Sequence, residues 1–176
     1  EKYQTVGKIE TRKDAWDKAA GKTLYTADIQ VDQLCFGAIL RSPHHHAKIL
    51  EIDSQTAEEI PEVLAVLTAE DIPGEKSFGP LIPDQPSLAD GVVRHVGEPV
   101  ALVIAETKQA AEEGRDKITV KYQALSAVFD PYQAAQGDAP QIHPDGNVVS
   151  ELHVGNGDVQ KGFQEADHIL EETFYL

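Results

Sequence analysis

The feature that most constrains the fold is an uninterrupted apolar run followed by a helical segment and an alternating segment. Val100–Ala105 contains six apolar residues in a row, which is typical of a strand covered on both faces. Thr107 is a suitable cap for a helix from Lys108 to Asp116, and Ile118–Tyr122 alternates as a strand does. The order strand, helix, strand predicts a crossover unit with parallel pairing of its two strands.

Other short strands are predicted on both sides of this unit. Val31–Leu40 alternates with the period of a half-buried strand, and Pro43 separates it from a second strand at Ala47–Asp53. Val63–Leu67 is a third short apolar strand, and His168–Leu176 reads as a final one. The chain is therefore expected to have an α+β fold built from short strands.

Capping residues predict about three to four helices, including the one after Thr107. Ser54 precedes a short helix through Glu59, Asp130 precedes Pro131, and Asp158 precedes an amphipathic segment. A single helical turn is expected at 68–72. Pro73 and three further prolines between Gly74 and Asp90 interrupt any periodicity. We expect an exposed loop there that serves as a contact or access element.

Composition limits the class of protein. The 176 residues suit one domain, and no apolar run is long enough to span a membrane. A formal charge of −15 argues against nucleic acids and anionic membrane surfaces as partners. Because Cys35 is the single cysteine, no internal disulfide and no multi-thiolate metal site can form; we expect a buried, inert thiol in a reducing cytoplasm.

The sequence begins with Glu1 and contains no methionine. We therefore expect the chain to be an internal or trimmed piece of a longer polypeptide.

Three consecutive histidines, His44, His45 and His46, form the most conspicuous polar cluster. In an extended chain His44 and His46 point the same way and are candidate ligands for Zn²⁺ or Ni²⁺, although a third ligand such as His95 or His143 is needed. The alternative is a turn between strands in which the imidazoles stack and form hydrogen bonds. The second interpretation is favoured, so no metal ligand is assigned.

Two other motifs suggest sites at first sight. Gly155–Asp158 resembles a phosphate loop before a helix, but it lacks the remaining glycines and the lysine, so Asp158 is interpreted as an N-cap. Asp17-Lys18-Ala19 is the tripeptide that carries lipoyl groups, but few β-branched residues precede it to form the hairpin that a carrier needs. No catalytic and no cofactor-binding residue is assigned.

An ordered set of motifs resembles one enzyme family over nearly the whole chain. The set begins with Arg12-x-Asp14-Ala15 and Gly21-Lys22, continues through Leu40-Arg41-Ser42-Pro43-His44-x-His46-Ala47 and Val63–Gly74, and includes Arg94-x-Val96-Gly97-Glu98-Pro99-Val100-Ala101, Val120-x-Tyr122 and Gly157-Asp158-Val159. These segments resemble the N-terminal part of the molybdopterin-binding subunit of xanthine dehydrogenases and aldehyde oxidases.

The resemblance implies a fold, a parent activity and a set of partners. The fold would be an α/β-hammerhead, with short strands and a few helices around a mixed sheet. Residues 1–176 would form one domain, with 1–30 and 147–176 as flanking segments leading towards a molybdopterin-binding domain. In this fold Gly97 suits a tight turn before the apolar strand, with Pro99 as the first residue of that strand. The parent subunit would oxidise a heterocycle or an aldehyde with oxygen from water at a molybdopterin-bound molybdenum. Iron–sulfur clusters and FAD would lie in partner domains or subunits.

The chain itself would be a structural module without catalysis or bound cofactor, because the family's glycine-rich cofactor motifs are missing from it. Its partners would be the molybdopterin-binding domain of the same chain and an iron–sulfur subunit or domain. The alternative is a stand-alone binding or metal-binding module built on the histidines at positions 44–46. Reading the encoding gene beyond Leu176 distinguishes the two.

Overall fold

The computed structural model describes residues 3, 5–29, 31–80 and 82–174 of the chain. Within them, eight strands alternate with five α-helices and two 3₁₀ turns, at Thr26–Asp28 and Ala69–Asp71. The strands are β1 (Phe36–Arg41), β2 (Ala47–Asp53), β3 (Val63–Leu67), β4 (Ser77–Phe78), β5 (Gln85–Pro86), β6 (Val92–Val93), β7 (Pro99–Ala105) and β8 (Thr119–Ala124). The helices are α1 (Ala15–Ala19), α2 (Gln55–Glu58), α3 (Lys108–Lys117), α4 (Pro131–Ala134) and α5 (Val159–Glu165).

The strands form two three-stranded sheets and a small ribbon. The first sheet has the order β1-β7-β3, the second has the order β6-β2-β8, and β4 pairs with β5. Every pairing among the described strands is antiparallel. The α+β class is therefore confirmed, but the parallel pairing that the crossover unit predicted is wrong, and so is the mixed sheet, because the described strands form antiparallel sheets.

The crossover prediction failed because β7 and β8 belong to different sheets. α3 follows β7 of the first sheet and delivers the chain to β8, which pairs with β2 in the second sheet. A helix between two strands imposes parallel pairing only when both strands share a sheet. The sequence pattern does not contain that information.

β7 is the centre of the first sheet and contributes most of the core. Ala101, Val103 and Ala105 are buried, and they pack with Ala110 and Ala111 of α3, with Ala57 of α2 and with Ile118. Val100 packs against Ala47, Ala89 and Val93, which joins the two sheets. β7 is thus a central strand, as expected, but the expectation that both of its faces are covered is wrong at Leu102 and Ile104, which are only half-buried.

Small residues allow α3 to approach the sheet closely. A Cβ atom added to Gly114 would lie 2.9 Å from Cγ1 of Val103 and 3.1 Å from Cγ2 of Val63. Glycine is therefore needed here for space, although it lowers helix propensity. Thr107 begins the helix as predicted, since its Oγ1 accepts a hydrogen bond from the Ala110 N–H at 3.2 Å.

The opposite face of the first sheet remains partly open. Leu102 and Ile104 of β7 are half-buried, and Ile39 of β1 is exposed. Ile39, Leu67 and Leu102 lie in register across the three strands and line an open apolar cavity of about 310 Å³. We call this surface, formed by Ile39, Leu67, Leu102 and Ile104, the open face.

Several predicted boundaries change. The predicted strand at 31–40 begins only at Phe36, because Gln33 has a left-handed φ of 61° and interrupts the extended backbone. Cys35 is exposed rather than buried, and its thiol lies 3.8 Å from the Gln33 carbonyl oxygen. The residues 168–174 form no strand, and 175–176 lie outside the described residues.

The stretch 74–90 has more structure than its sequence indicates. It contains the β4–β5 ribbon, and the Ser87 N–H donates to the Lys76 carbonyl oxygen at 2.9 Å. Lys76 and Asp90 form an ion pair at 3.1 Å between Nζ and Oδ2, and Ala89 is buried. The two ends of this stretch are thus joined to each other, and Ala89 attaches its C-terminal end to the core.

Candidate functional site

The three histidines contact three different partners. The His44 ring lies edge-on to Tyr122 with centroids 4.8 Å apart, and the His45 ring lies edge-on to Phe129 at the same centroid distance. His46 is almost fully buried, and its Nδ1 lies 2.7 Å from the Ser126 carbonyl oxygen. The turn interpretation, with stacked and hydrogen-bonded imidazoles, therefore describes this segment.

The geometry does not favour a metal site on these histidines. The His44 and His45 rings lie against two different aromatic side chains, and Nδ1 of His46 faces the Ser126 carbonyl oxygen, so the three rings do not converge on one point. Within residues 3, 5–29, 31–80 and 82–174, no group of three or more His, Cys, Asp or Glu side chains could hold a metal ion.

Tyr122 links the histidine turn to the second sheet. Burial raises the pKa of Tyr122 above its ordinary value of 10.0, and a side-chain hydrogen bond with Ser42 partly offsets that increase. Ser42 is itself buried and exchanges hydrogen bonds with the His44 backbone, with 3.0 Å between donor and acceptor in each. The segment 42–46 is thus held by packing and hydrogen bonds on several sides.

A second cluster surrounds the turn before β7. Gly97 has a φ of 86°, as a tight turn requires, and Pro99 is the first residue of β7, as the sequence indicates. The Glu98 carboxylate is buried and accepts a hydrogen bond from the backbone N–H of Arg94. Arg41 donates from Nη1 to the Gly97 carbonyl oxygen at 2.7 Å.

Sequence reasoning identified this turn but missed its charged side chains. Backbone hydrogen bonds also hold this turn against residue Ser42. The Ser42 N–H donates to the Glu98 carbonyl oxygen at 2.9 Å, and the Gly97 N–H donates to the Ser42 carbonyl oxygen at 2.8 Å. The available signal was Glu98 itself, which lies between a turn glycine and a proline. An acid that is buried in such a turn must accept hydrogen bonds from nearby donors.

The two other motifs have structural roles. Lys18 lies in α1 and pairs with Asp14 at 2.6 Å, so it is not at the tip of a hairpin as a lipoyl carrier requires. Asp158 accepts a hydrogen bond from the Lys161 N–H at 3.0 Å and caps α5, as predicted. Its carboxylate occupies the helix N-terminus where a phosphate would bind.

The C-terminal segment has an unusual surface. Every described residue from 148 to 174 is exposed. Nine of them are large hydrophobic residues: Val148, Val149, Leu152, Val154, Val159, Phe163, Ile169, Leu170 and Phe174. Isolated exposed apolar residues are ordinary, whereas a long series of them is typical of interaction surfaces. We call residues 148–174 the C-terminal arm.

Two small antiparallel sheets joined through a buried β7, with α3 on one face, define an α+β domain of the hammerhead class. Residues 20–126 match the family described as aldehyde oxidase and xanthine dehydrogenase, a/b hammerhead domain. The chain belongs to this family.

Relatives extend the match over almost the entire chain. A probable xanthine dehydrogenase component of Bacillus subtilis (strain 168) is 39% identical over 94% of this chain and 22% of its own length. The nicotinate dehydrogenase large molybdopterin subunit of Eubacterium barkeri is 35% identical over 98% of this chain and 40% of its own length. The chain thus spans about a fifth to two fifths of these relatives.

Solved structures agree with the fold. Quinoline 2-oxidoreductase from Pseudomonas putida 86 is similar with a TM-score of 0.76 and 34% identity, over 85% of this chain and 20% of the solved chain. CO dehydrogenase from Oligotropha carboxidovorans is similar with a TM-score of 0.69 and 32% identity, over 79% of this chain and 18% of the solved chain. In the part of our chain that the structure describes, no helix has the length and apolar character needed to cross a membrane.

Proposed function

We propose that this chain is a structural module of the large subunit of a molybdenum hydroxylase. The assembled enzyme oxidises a heterocycle or an aldehyde, water supplies the oxygen atom, and a molybdopterin-bound molybdenum accepts two electrons. Family membership supports this proposal, together with relatives whose names describe xanthine and nicotinate dehydrogenases. The module contributes packing surfaces rather than chemistry.

The C-terminal arm is the observation that carries the proposal. Its nine large hydrophobic residues are exposed, and the open face adds a second apolar surface on the body of the domain. Burying apolar surface stabilises an assembly by about 25 cal/mol per Å². Two such surfaces on one small domain indicate that it packs inside a larger polypeptide.

The residues of this chain do not fit a resident redox cofactor. An iron–sulfur cluster needs several cysteine ligands, commonly four, and the chain has Cys35 alone. The most conspicuous histidines are directed at Tyr122, Phe129 and Ser126. We therefore assign the molybdopterin, the iron–sulfur clusters and the FAD to other domains or subunits, and no catalytic step to this chain.

The domain plan that we propose rests on the resemblance and on the family match over residues 20–126. We assign residues 1–176 to one hammerhead domain, with 1–30 and 147–176 as flanking segments directed towards a molybdopterin-binding domain of the same chain. An iron–sulfur domain or subunit is the second partner. A cytoplasmic location fits the exposed, unpaired thiol of Cys35, which a reducing compartment preserves.

Split expression tests this role. The 176-residue chain is co-expressed with the polypeptide encoded directly downstream of it, and only the chain carries an affinity tag. We expect the two to co-purify. Leu170→Asp, at a position that is 86% exposed on the C-terminal arm, should abolish co-purification because a carboxylate cannot be buried unpaired.

Leu50→Asp is the matched control, since Leu50 is 62% exposed on β2 and lies outside both apolar surfaces. It should leave co-purification unchanged. Equal losses in the two variants, or a reading frame that stops soon after Leu176, would contradict the proposed role. The isolated chain should also fail to reduce a dye with xanthine or an aldehyde as the electron donor.

A further inference from the structure

A charged cleft lies beside the turn that precedes β7. It has a volume of about 550 Å³, and its lining includes Arg41, Arg94, His95, Glu98, Asp84 and His143. Cavities of several hundred cubic ångströms are the size that small-molecule ligands occupy. Two of these six side chains are arginines, two are histidines and two are carboxylates, whereas acidic residues outnumber lysines and arginines by thirty to fifteen in the chain as a whole.

The two arginines of this cleft differ from the other two in the chain. Arg12 pairs with Asp14 at 3.1 Å, and Arg115 pairs with Asp116 at 2.8 Å. Among the described residues, neither Arg41 nor Arg94 has a carboxylate within 4.0 Å of its guanidinium nitrogens. In so acidic a chain, two arginines without an acidic partner in one cleft indicate a place for an external anion.

Both guanidinium groups are held in position while keeping donors free. Arg41 uses Nη1 for the Gly97 carbonyl oxygen at 2.7 Å, and Arg94 uses Nε for the Ile142 carbonyl oxygen at 3.2 Å. A guanidinium has five N–H donors, so several remain on each arginine. Because each arginine side chain is already fixed by one hydrogen bond, it loses little conformational entropy when its remaining donors bind a carboxylate.

The two acidic residues of the cleft have partners of their own. Glu98 is buried and accepts a hydrogen bond from the backbone N–H of Arg94, while Oδ2 of Asp84 lies 3.7 Å from Nδ1 of His143. Among the described residues, neither carboxylate lies within 4.0 Å of a guanidinium nitrogen of Arg41 or Arg94. The acids therefore shape the cleft and leave the charge of the arginines available.

A second recess, lined by both polar and apolar side chains, adjoins the charged cleft. Arg94 and His95 also line a second cavity of about 180 Å³, together with Ala127, Phe129 and Ile142. Phe129 is largely exposed, and its ring already lies edge-on to His45. A ligand with an anionic head and a flat apolar body could contact both cavities at once, because Arg94 and His95 belong to both.

We propose that this paired cleft binds a small organic carboxylate with an aromatic or other flat apolar body. Arg41 and Arg94 contact the carboxylate through their free N–H donors, and the wall formed by Phe129 and Ile142 contacts the body. Guanidinium and carboxylate groups match in geometry and form charge-assisted hydrogen bonds, which are the strong ones in proteins. No bond is made or broken in this step.

Isothermal titration of the 176-residue chain with sodium benzoate tests the site. We expect saturable binding at one site, weaker binding of acetate, and no binding of benzylamine. Arg94→Gln should weaken benzoate binding at least about tenfold, as the loss of a charge-assisted pair does. Arg94→Lys should bind with intermediate affinity, since it keeps the charge but not the planar fork.

Arg115→Gln is the matched control, because it removes the same charge from a paired arginine outside the cleft; it should bind benzoate as the wild type does. Circular dichroism spectra of all variants establish that each is folded. The proposal is overturned if benzoate shows no saturable binding up to about 20 mM, or if Arg94→Gln and Arg115→Gln bind equally. Tighter binding of inorganic phosphate than of benzoate also overturns it.

Discussion

α3 and α5 begin with the same local signal and end in opposite environments. Thr107 caps α3 and Asp158 caps α5, each by accepting a backbone N–H at the third helical position, and each helix contains one glycine. α3 buries Ala110, Ala111 and Gly114 against the first sheet. α5 buries no residue, although it carries Val159 and Phe163 on its surface.

The difference shows that the local signals that start a helix are distinct from the packing that stabilises it in the fold. Capping and propensity set where a helix begins, but tertiary packing supplies most of its stability. α3 has that packing within the described chain and α5 does not. The contrast between the two three-stranded sheets with α3, which we call the body, and the C-terminal arm can therefore be tested by making the same substitution in both.

The largest expected effect comes from truncating a valine in each region. Val103→Ala removes two methyl groups from a fully buried site and should lower the free energy of unfolding by about 2–3 kcal/mol, through lost burial and a residual cavity. Val159→Ala, at an exposed site in α5, should change it by less than about 0.5 kcal/mol. Urea unfolding of the two variants measures both, and equal effects would remove the contrast.

Glycine substitution should change sign between the two helices. Gly114→Ala places a Cβ atom 2.9 Å from Val103, so we expect a net loss of about 1–2 kcal/mol after the gain in helix propensity. The Cβ of Gly162→Ala meets nothing within 4 Å, so only the propensity gain of up to about 1 kcal/mol remains, confined to α5. Thermal melts followed at 222 nm compare the two; a stabilising Gly114→Ala would contradict the close approach.

Removing the caps should separate global from local stability. Thr107→Ala should lower the global free energy of unfolding by about 1 kcal/mol, because α3 unfolds with the core. Asp158→Ala should reduce helical content in the C-terminal arm without moving the denaturation midpoint, since α5 is attached to no buried residue. Residue-level NMR shifts combined with urea titration distinguish these results, and a shifted midpoint in Asp158→Ala would show that the arm is packed.

The smallest expected effect is a pH dependence confined to the body. Burial raises the pKa of Tyr122, so the unfolded chain loses this proton first as the pH rises. The contribution of Tyr122 to the free energy of unfolding is therefore fully present below pH 10, its ordinary pKa. It should be lost as the pH rises through the raised pKa of the folded state. Tyr122→Phe should decline less between pH 9 and pH 11, measured as Tm against pH on a ~1-unit grid.

The elements of the body were largely predictable from the sequence, because local signals determined them. The apolar run of β7, the Thr107 cap and the turn at Gly97 all have the predicted positions. The pairing of β8 with β2 was not predictable, since antiparallel pairing in a separate sheet depends on contacts distant in sequence. The exposed Cys35 was missed for a similar reason: its apolar neighbours precede the strand rather than belong to it.

The candidate site was only partly predictable. The histidines were correctly interpreted as a turn from their place between two strands, and their stacking on Tyr122 and Phe129 was beyond the sequence. The cleft containing Arg41 and Arg94 could not be found, because these residues lie far apart in the sequence and meet only through the β1–β7 pairing. The C-terminal arm was expected to be a helix and a strand, and only the helix is present among its described residues.

Hydrogen exchange measured by mass spectrometry tests the central claim most directly. The isolated chain and the same chain within its assembled large subunit are compared peptide by peptide. We predict slow exchange in β7 and α3 in both samples, and rapid exchange across residues 148–174 in the isolated chain that becomes slow in the assembly. Rapid exchange of 148–174 in both samples would contradict the claim that this domain is a packing module whose arm another part of the large subunit covers.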